Sequence, residues 1–518
     1  MFTRSNLKLL LRIVGALWRS RILRLSPGEF ASILGAWRRC RSSFAFLSEM
    51  AAIRAPHRVA FHDEWGPTTY AEFHRQSLAL ATVLQERFGV GARSQVAVIC
   101  HNHRGFALAM VATTRLGADI LPLGTDLPRP VLEAILKRQD ISLILHDREV
   151  AGNLPESIQG FEIDIDIEPV AGVELEGVRR AGELIVLTSG TTGLSKGIRR
   201  RPTIGQLLPL VTGLLESIPI QMHRPIVLAI PLHHGYGIAT FAMSLALASP
   251  LYLARRFEIA PLLLQVVEPD PPFLVTVPTL LRRWLRSPER QPNPKLAAVI
   301  TGSAPLEASL CQELLEVLGP VLLNLYGSSE AGLIALALPQ TLQEAPGSVG
   351  EPMPGNSVRL LDQSGAEVAL GETGRISVRG PFVLQPAADG WRETGDLGRR
   401  DERGNLYVCG RVDSMLVSGG ENVYPHELEE VLASHESVAE VAVLVVDDAD
   451  FGQRMVAVVV ARSRAELDGA SLKQWLSERV ERFKIPRSIH VVTAIPRNPL
   501  GKVDRLALLR MLSPESQT

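Results

Sequence analysis

The sequence predicts an α/β protein: a large N-terminal domain of α/β subdomains plus a β-rich subdomain, then a small α+β domain at the C-terminal end. Three observations carry this. Between about residues 57 and 300, short apolar runs alternate with amphipathic stretches, and strands separated by helices imply mainly parallel sheets covered on both faces. After about residue 345 the texture changes to short strands and Gly/Asp-rich turns. From residue 414 a fresh set of helices and strands begins, and 518 residues are too many for one ordinary core.

Taken in order, residues 95–100 (QVAVIC) read as a buried strand followed by a helix over 106–116. A helix over 131–138 leads into a strand at 142–146 (SLILH). Further strands are predicted at 183–187, 226–230, 273–277 and 297–300. The β-rich subdomain ends in the strand 406–408 and the pair Gly410-Arg411. The small unit reads as a helix over 425–434, strands at 438–446 and 455–460, a helix over 471–480 and a polar tail. These readings set boundaries at 1–48, 49–412 and 413–518.

Composition narrows the function classes. With 46% hydrophobic and 21% charged residues the chain is globular rather than disordered. Lys+Arg 54 against Asp+Glu 55 leaves no basic excess, so a nucleic-acid partner is not expected. Cys40, Cys100, Cys311 and Cys409 form no CxxC pair, which argues against a zinc ribbon or disulfide framework and fits a reducing cytoplasm. No apolar run is long enough to span a bilayer.

The exception to charge balance is residues 1–48, where Arg4, Lys8, Arg12, Arg19, Arg21, Arg24, Arg38, Arg39 and Arg41 face a single acid, Glu29. Lys8, Arg12, Gly15 and Arg19 fall on one helical stripe, while Leu7, Leu10, Leu11, Val14, Leu17 and Trp18 occupy the rest. A basic amphipathic helix can lie in a membrane interface, which would place the protein peripherally at the inner membrane face. It can equally dock on its own large domain with its arginines in water. Arginines interrupt every apolar run, so a cleaved leader is the weakest reading.

The chemistry-bearing segments begin with Thr188-Ser189-Gly190-Thr191-Thr192-Gly193-Leu194-Ser195-Lys196-Gly197. Its glycines let backbone N–H groups approach phosphate oxygens, hydroxyls add donors and Lys196 adds charge. It is not a Walker A loop, because GxxxxGK[ST] is not satisfied. A polar surface loop is the plain alternative, yet such loops rarely follow a buried strand and end in Lys-Gly. Further on come Pro231-Leu232-His233-His234-Gly235-Tyr236-Gly237, Thr301-Gly302-Ser303-Ala304-Pro305-Leu306 and Tyr326-Gly327-Ser328-Ser329-Glu330. Thr394-Gly395-Asp396, Gly410-Arg411-Val412-Asp413, Val417-Ser418-Gly419-Gly420-Glu421 and Gly501-Lys502-Val503-Asp504-Arg505 complete the set. Alone, each has an ordinary reading: a salt bridge for Asp396 or Arg411, packing for either histidine, solubility for Lys502.

Together, and in this order across roughly residues 50–508, these segments resemble the adenylate-forming superfamily of acyl-CoA synthetases, adenylation domains and luciferases. The resemblance implies an ATP-dependent enzyme that makes an acyl-adenylate, releases pyrophosphate and forms a thioester with coenzyme A. It implies that Thr188, Ser189, Gly190, Thr191, Thr192, Gly193 and Lys196 hold phosphates, with Ser195 standing where the family has proline. Gly302, Ser303 and Ala304 would line the adenine and acyl pockets with backbone. Tyr326 and Gly327 would meet adenine, Ser329 (for the usual threonine) phosphate, and Glu330 Mg2+. Asp396 would accept from the ribose hydroxyls, and Arg411 would contact the nucleotide. Lys502 would serve adenylation from a mobile small domain, which then turns about Asp413 to bring Gly419 and Gly420 to the thiol.

His234 corresponds to the family's histidine beside the acyl pocket, and His233 replaces an aromatic. No acid lies between 233 and 240, which disfavours an amino-acid substrate. The N-terminal segment and Asn102-His103-Arg104-Gly105-Phe106 resemble bacterial long-chain fatty-acyl-CoA synthetases, and Gly302, Gly332 and Leu333 leave room for an apolar tunnel. A medium- or long-chain fatty acid is therefore expected. The alternative is an acyl- or aryl-acid ligase that loads a carrier-protein pantetheine. Retention of Lys196, Glu330, Asp396, Arg411 and Lys502 argues against a non-catalytic binding protein.

Overall fold

The computed structural model describes residues 15–22, 24–163, 167, 175–188, 196–200, 204–218, 220–267, 269–291, 294–328, 330–412, 416–418, 421–423, 425–448, 452–462, 467–480, 484–498 and 502–512. The chain divides into two compact units: residues 1–276 with 286–300, and residues 277–285 with 301–518.

In the first unit a six-stranded sheet runs in the order Gln159–Glu162, Leu143–His146, Gln95–Ile99, Asp119–Leu123, Leu184–Thr188, Lys196–Arg200. All neighbours are parallel except the last pair. Parallel strands need both faces covered. On one face Ala97, Ile99, Leu121, Leu123, Ile144 and Ile185 pack with Leu132, Ile135 and Leu136 of the helix Arg129–Arg138. A second group of strands, Phe273–Thr276, Ile226–Leu228, Leu251–Tyr252 and Val59–Asp63, is also parallel, with Gly66–Thr69 added antiparallel at its edge.

Most predicted elements are present with ends shifted by one to three residues. The strand Asp119–Leu123 was not predicted, because Pro122 interrupts its apolar run. It nevertheless sits in the middle of the sheet, where Pro122 faces Val98. The helix predicted from 106 begins at Arg104, because the His103 side chain accepts the Gly105 N–H at 3.0 Å in the manner of a cap. Every residue of this helix is buried, including two arginines, and each is paired. Arg104 donates to Asp63 at 3.0 Å, and Arg115 is bridged to Glu49 at 2.5 Å. Removing either acid would leave a buried charge unpaired.

The described part of the N-terminal extension packs within the first unit. Ser26 and Glu29 form a capping box on the helix Pro27–Cys40, and Pro27 opens it. Ala36 and Cys40 face inward, and Arg39 pairs with Glu49. Hydrogen bonds from Arg39 and Arg115 outweigh burial and pull the Glu49 pKa down to about 2. Phe44, on the next helix Phe44–Arg54, stacks on Phe241 with centroids 5.4 Å apart. No helix among the described residues is long and apolar enough to cross a membrane, and all four cysteines are buried and free of disulfides.

The second unit contains the antiparallel strands Leu322–Ser328, Gly332–Ala337 and Glu351–Pro352. It also holds the antiparallel sheet Ser357–Leu361, Gly374–Arg379, Arg392–Arg400, Leu406–Arg411, which is the expected β-rich part. Its C-terminal sheet pairs Val438–Asp448 antiparallel with Gly452–Ala461, which runs parallel to Ser488–Val492. Side chains two apart share a face. Val441, Val443, Ala457 and Val459 pack on Leu428 and Leu432 of the helix Pro425–Ala433 and on Leu472 and Leu476 of the helix Gly469–Ser477. Ala442, Leu444 and Val458, on the opposite face, pack on Leu508. The tail read as polar is thus partly the helix Arg505–Leu512, recruited by one buried leucine.

Candidate functional site

In the first unit the strand Leu184–Thr188 pairs antiparallel with Lys196–Arg200, and the register sets Thr188 opposite Lys196. The loop between them leaves the carboxyl end of a strand that is parallel to Asp119–Leu123. Ser189, Gly190, Thr191, Thr192 and Gly193 lie outside the described residues.

After the strand Ile226–Leu228, the segment 230–237 is held by Asn102. Its amide donates to the Ile230 carbonyl at 2.7 Å and accepts the Leu232 N–H at 2.6 Å. The asparagine that opens the Asn102–Phe106 segment therefore positions the histidine loop, a role that sequence reading missed. Asn102 directly follows a strand and its two residual strand-end neighbours, but only the fold brings residue 231 to it. Gly237 is obligatory, because a Cβ there would lie 2.1 Å from the Pro231 carbonyl oxygen. His234 stands at the N-cap of the helix Gly235–Ala246, and its ring centroid lies 4.1 Å from that of His233. Burial pushes the His233 pKa down to about 4 against the pull of Asp126, so the ring is neutral near pH 7. Gly124 lets this ring approach: a Cβ at 124 would meet His233 Nε2 at 3.2 Å. The Tyr236 hydroxyl donates to the Ile300 carbonyl at 3.0 Å.

The second unit brings together four of the predicted residues. Tyr326 is buried in a core cluster with Ile334, Ile376 and Val378, and its hydroxyl donates to Asp396 Oδ2 at 2.6 Å. Thr394 ties the pair together, accepting from the Asp396 N–H at 3.1 Å and lying 3.2 Å from the Tyr326 hydroxyl. Asp396 and Arg411 face each other across neighbouring strands, and Arg411 Nη1 lies 3.4 Å from Asp396 Oδ1. Gly395 adopts φ +78, and a Cβ there would meet the Arg411 guanidinium at 3.1 Å, so glycine opens the place for it.

Lys502 completes the group. Its backbone exchanges hydrogen bonds with Asn498, donating to Oδ1 at 3.0 Å and accepting from the N–H at 2.8 Å. Its side chain is exposed, yet the surrounding protein atoms still lower the pKa of the ammonium by desolvation, Asp396 opposing and Arg411 reinforcing the shift. Withdrawal from water raises the Asp396 carboxyl, against Tyr326, Arg411 and Lys502. Burial, joined by Asp396, raises the Tyr326 phenol far above its usual range, so it remains a donor.

Gly302, at the end of the strand Ala298–Gly302, passes so close to Leu325 that a Cβ would lie 2.7 Å from its carbonyl oxygen. Ser303 follows at φ 63, in the left-handed region, and is exposed beside half-buried Ala304. Gly327 sits at a bulge, where a Cβ would lie 2.5 Å from the Gly332 carbonyl oxygen. Glu330 follows the strand Leu322–Ser328 and is half-buried. Its carbonyl accepts the Leu384 N–H at 2.9 Å, and its carboxylate has no hydrogen bond or ion pair among the described residues. Ser329, Asp413, Gly419 and Gly420 lie outside the described residues, although Ser418 and Glu421 pair across the two glycines.

These side chains suit a nucleotide and its metal. A carboxylate offers acceptor oxygens to ribose hydroxyls, a guanidinium and an ammonium offer positive charge to phosphates, and an uncommitted glutamate suits a hard divalent cation. The model of the AMP-binding enzyme family matches residues 48–386, and that of the AMP-binding enzyme C-terminal domain matches 427–502. A 2-succinylbenzoate–CoA ligase of Bacillus licheniformis is 30% identical over 479 residues, 88% of this chain and 95% of the relative. A feruloyl-CoA synthase of an Amycolatopsis species is 30% identical, covering 91% and 97%. The solved structure of O-succinylbenzoate coenzyme A synthetase from Bacillus subtilis, in complex with ATP and magnesium ion, superposes with a TM-score of 0.78 at 26% identity. It covers 89% of this chain and 99% of that one. The chain therefore belongs to the AMP-binding enzyme family and is an AMP-forming acid–thiol ligase that uses ATP, Mg2+ and coenzyme A.

Proposed function

We propose that the enzyme activates a medium- or long-chain fatty acid and transfers it to coenzyme A. In the first half-reaction the substrate carboxylate attacks the α-phosphorus of ATP and pyrophosphate leaves. In the second the CoA thiol attacks the acyl carbonyl and AMP leaves. The ATP-dependent first step is supported by the clustering of Asp396, Tyr326 and Arg411, with Lys502 near enough for its charge to act on the group, because an acceptor carboxylate then stands among cations.

In this scheme Asp396 binds the ribose, and Arg411 and Lys502 stabilise charge developing on phosphate oxygens. Thr188, Lys196 and the loop between them cradle the remaining phosphates. Glu330 would hold Mg2+, which when bound neutralises phosphate charge. Gly419 and Gly420 admit the pantetheine arm after the domain 413–518 turns about Asp413 against 49–412, and His234 flanks the acyl pocket.

A neutral His233 and a stretch 233–240 without acids support an apolar acyl group. The relatives named for succinylbenzoate, indoleacetate and feruloyl substrates favour a second reading, an aryl acid. A carrier-protein pantetheine is the alternative acceptor. Pyrophosphate release across fatty and aromatic acids, with CoA, a loaded carrier or neither, separates these. Highest kcat/KM for acids of eight or more carbons is expected, and a preference for aromatic acids would replace the fatty-acid reading.

We also propose that residues 1–48 contact an anionic bilayer while part of the segment packs on the protein. Leu10, Leu11 and Val14 of the expected apolar face lie outside the described residues, and Leu17 is half-buried. The helix Pro27–Cys40 instead exposes Phe30 (61%), Leu34 (37%) and Trp37 (36%), spaced to share one face. Arg41 lies 5.5 Å over Trp37 and Arg24 lies 5.6 Å over exposed Trp18. Apolar burial with arginines attracted to anionic headgroups is the physical basis. Co-sedimentation with anionic but not neutral liposomes, weakened by Phe30→Ser with Trp37→Ser and by high salt, is expected. Equal recovery in the supernatant with and without anionic lipid would reject it.

A further inference from the structure

The six-stranded sheet changes winding direction between Gln95–Ile99 and Leu143–His146. The chain leaves the first of these for Asp119–Leu123 on one side, then returns to form Leu143–His146 on the other. In open parallel sheets, the place just outside the strands' carboxyl ends at such a switch point is the usual ligand position. His101 and His103 follow one of these ends, and Asp147 and Glu149 follow the other.

Asp147 is anchored through one oxygen only. Oδ2 accepts the His101 backbone N–H at 2.8 Å, and lies 2.7 Å from His101 Nδ1 and 3.2 Å from His103 Nε2. Because His103 Nδ1 accepts the Gly105 N–H, its proton sits on Nε2 and points to Asp147. Oδ1 is buried without a hydrogen-bond partner, and the side chain is 93% buried. Burial alone would raise this carboxyl, but the hydrogen bonds from His103 and His101 hold it well below the usual carboxylate range. A buried anionic oxygen with no donor is costly, and a cation satisfies it.

One donor atom from each of His101, Asp147 and Glu149 lies within 4.8 Å of the others. We propose that these three residues bind a divalent transition-metal ion of the Zn2+ class at the sheet's switch point, a site separate from the nucleotide chemistry proposed above. Imidazole and carboxylate oxygens are the donor set such ions take. His103 then acts as the outer partner that orients the Asp147 carboxylate. For His101 Nδ1 to ligate, the ring proton moves to Nε2, which water can reach because the side chain is 31% exposed. Glu149 is bridged to Arg255 at 2.6 Å, but Arg255 also pairs with Glu64 at 2.6 Å. The guanidinium therefore keeps a partner when Glu149 turns to the ion.

The test uses the full-length, metal-free enzyme without ATP, titrated with Zn2+ by equilibrium dialysis, and with Co2+ by visible absorption. The wild type is expected to take up one ion with nitrogen-ligand d–d bands and a rise in Tm. His101→Ala and Glu149→Gln should each weaken uptake at least about tenfold and abolish the Tm rise, while Glu330→Gln keeps both. Asp147 is left intact, because its loss would strip His103 of its acceptor. No uptake by the wild type, or unchanged uptake by both His101→Ala and Glu149→Gln, would overturn the proposal.

Discussion

Lys502→Ala is expected to slow acyl-adenylate formation by about 10²–10³-fold, the cost of losing one preorganised charge-stabilising group. Thioester formation from supplied acyl-AMP and CoA should be largely unaffected. The asymmetry follows from where Lys502 sits. Its ammonium feels both Asp396 and Arg411, so in the described conformation it belongs with the groups assigned to the nucleotide. Nothing in thiol attack on a formed adenylate calls for a second cation at that point. Lys502→Arg keeps the charge but replaces a compact ammonium with a planar fork, so partial recovery is expected. Rapid-quench measurement of pyrophosphate and acyl-CoA in the two half-reactions provides the check. Equal loss in both would remove Lys502 from the adenylation step.

Asp396→Ala should raise the KM for ATP by roughly 10–100-fold, the loss of one charge-assisted hydrogen bond of about 1.5–3 kcal/mol. It carries a structural cost as well. The Tyr326 hydroxyl donates to Asp396 at 2.6 Å inside a packed cluster, and losing that acceptor leaves it only Thr394 Oγ1 at 3.2 Å, at a cost of about 1 kcal/mol of stability. Tyr326→Phe separates the two effects: it removes the donor but keeps the carboxylate, so Tm should fall with a much smaller change in KM. The double variant shows whether the two residues act as a pair. An ATP KM in Asp396→Ala no higher than in Tyr326→Phe would leave the aspartate with a structural role alone.

Much of the fold was legible because it rests on local regularities. The apolar runs at 95–99 and 143–146 bury on both faces, and the alternation along 438–446 and 455–460 feeds two separate cores. What escaped were elements whose local signal contradicts their place. Pro122 weakens a strand that becomes central, since its missing N–H matters less than its buried position. Two-residue strands such as Leu251–Tyr252 carry no periodicity at all. Arg104 and Arg115 look like surface charges, yet both are buried on acids at positions 63 and 49.

The residues of the candidate site, and the neutrality of the stretch 233–240, were determined by the order of amino acids alone, because backbone approach to phosphate demands glycine and charge demands Lys, Arg, Asp or Glu. Tertiary structure alone decided their company. Tyr326 and Asp396 are separated by 70 residues and Asn102 and Ile230 by 128, and such pairs form only when strands from distant parts of the chain share a sheet or a strand end. The same holds for Asp147, whose neighbours His101 and His103 lie two crossovers earlier in the chain. Hydrogen bonds reach about 3 Å, so which side chains answer one another depends on how the strands are ordered, a property that spacing along the chain does not encode.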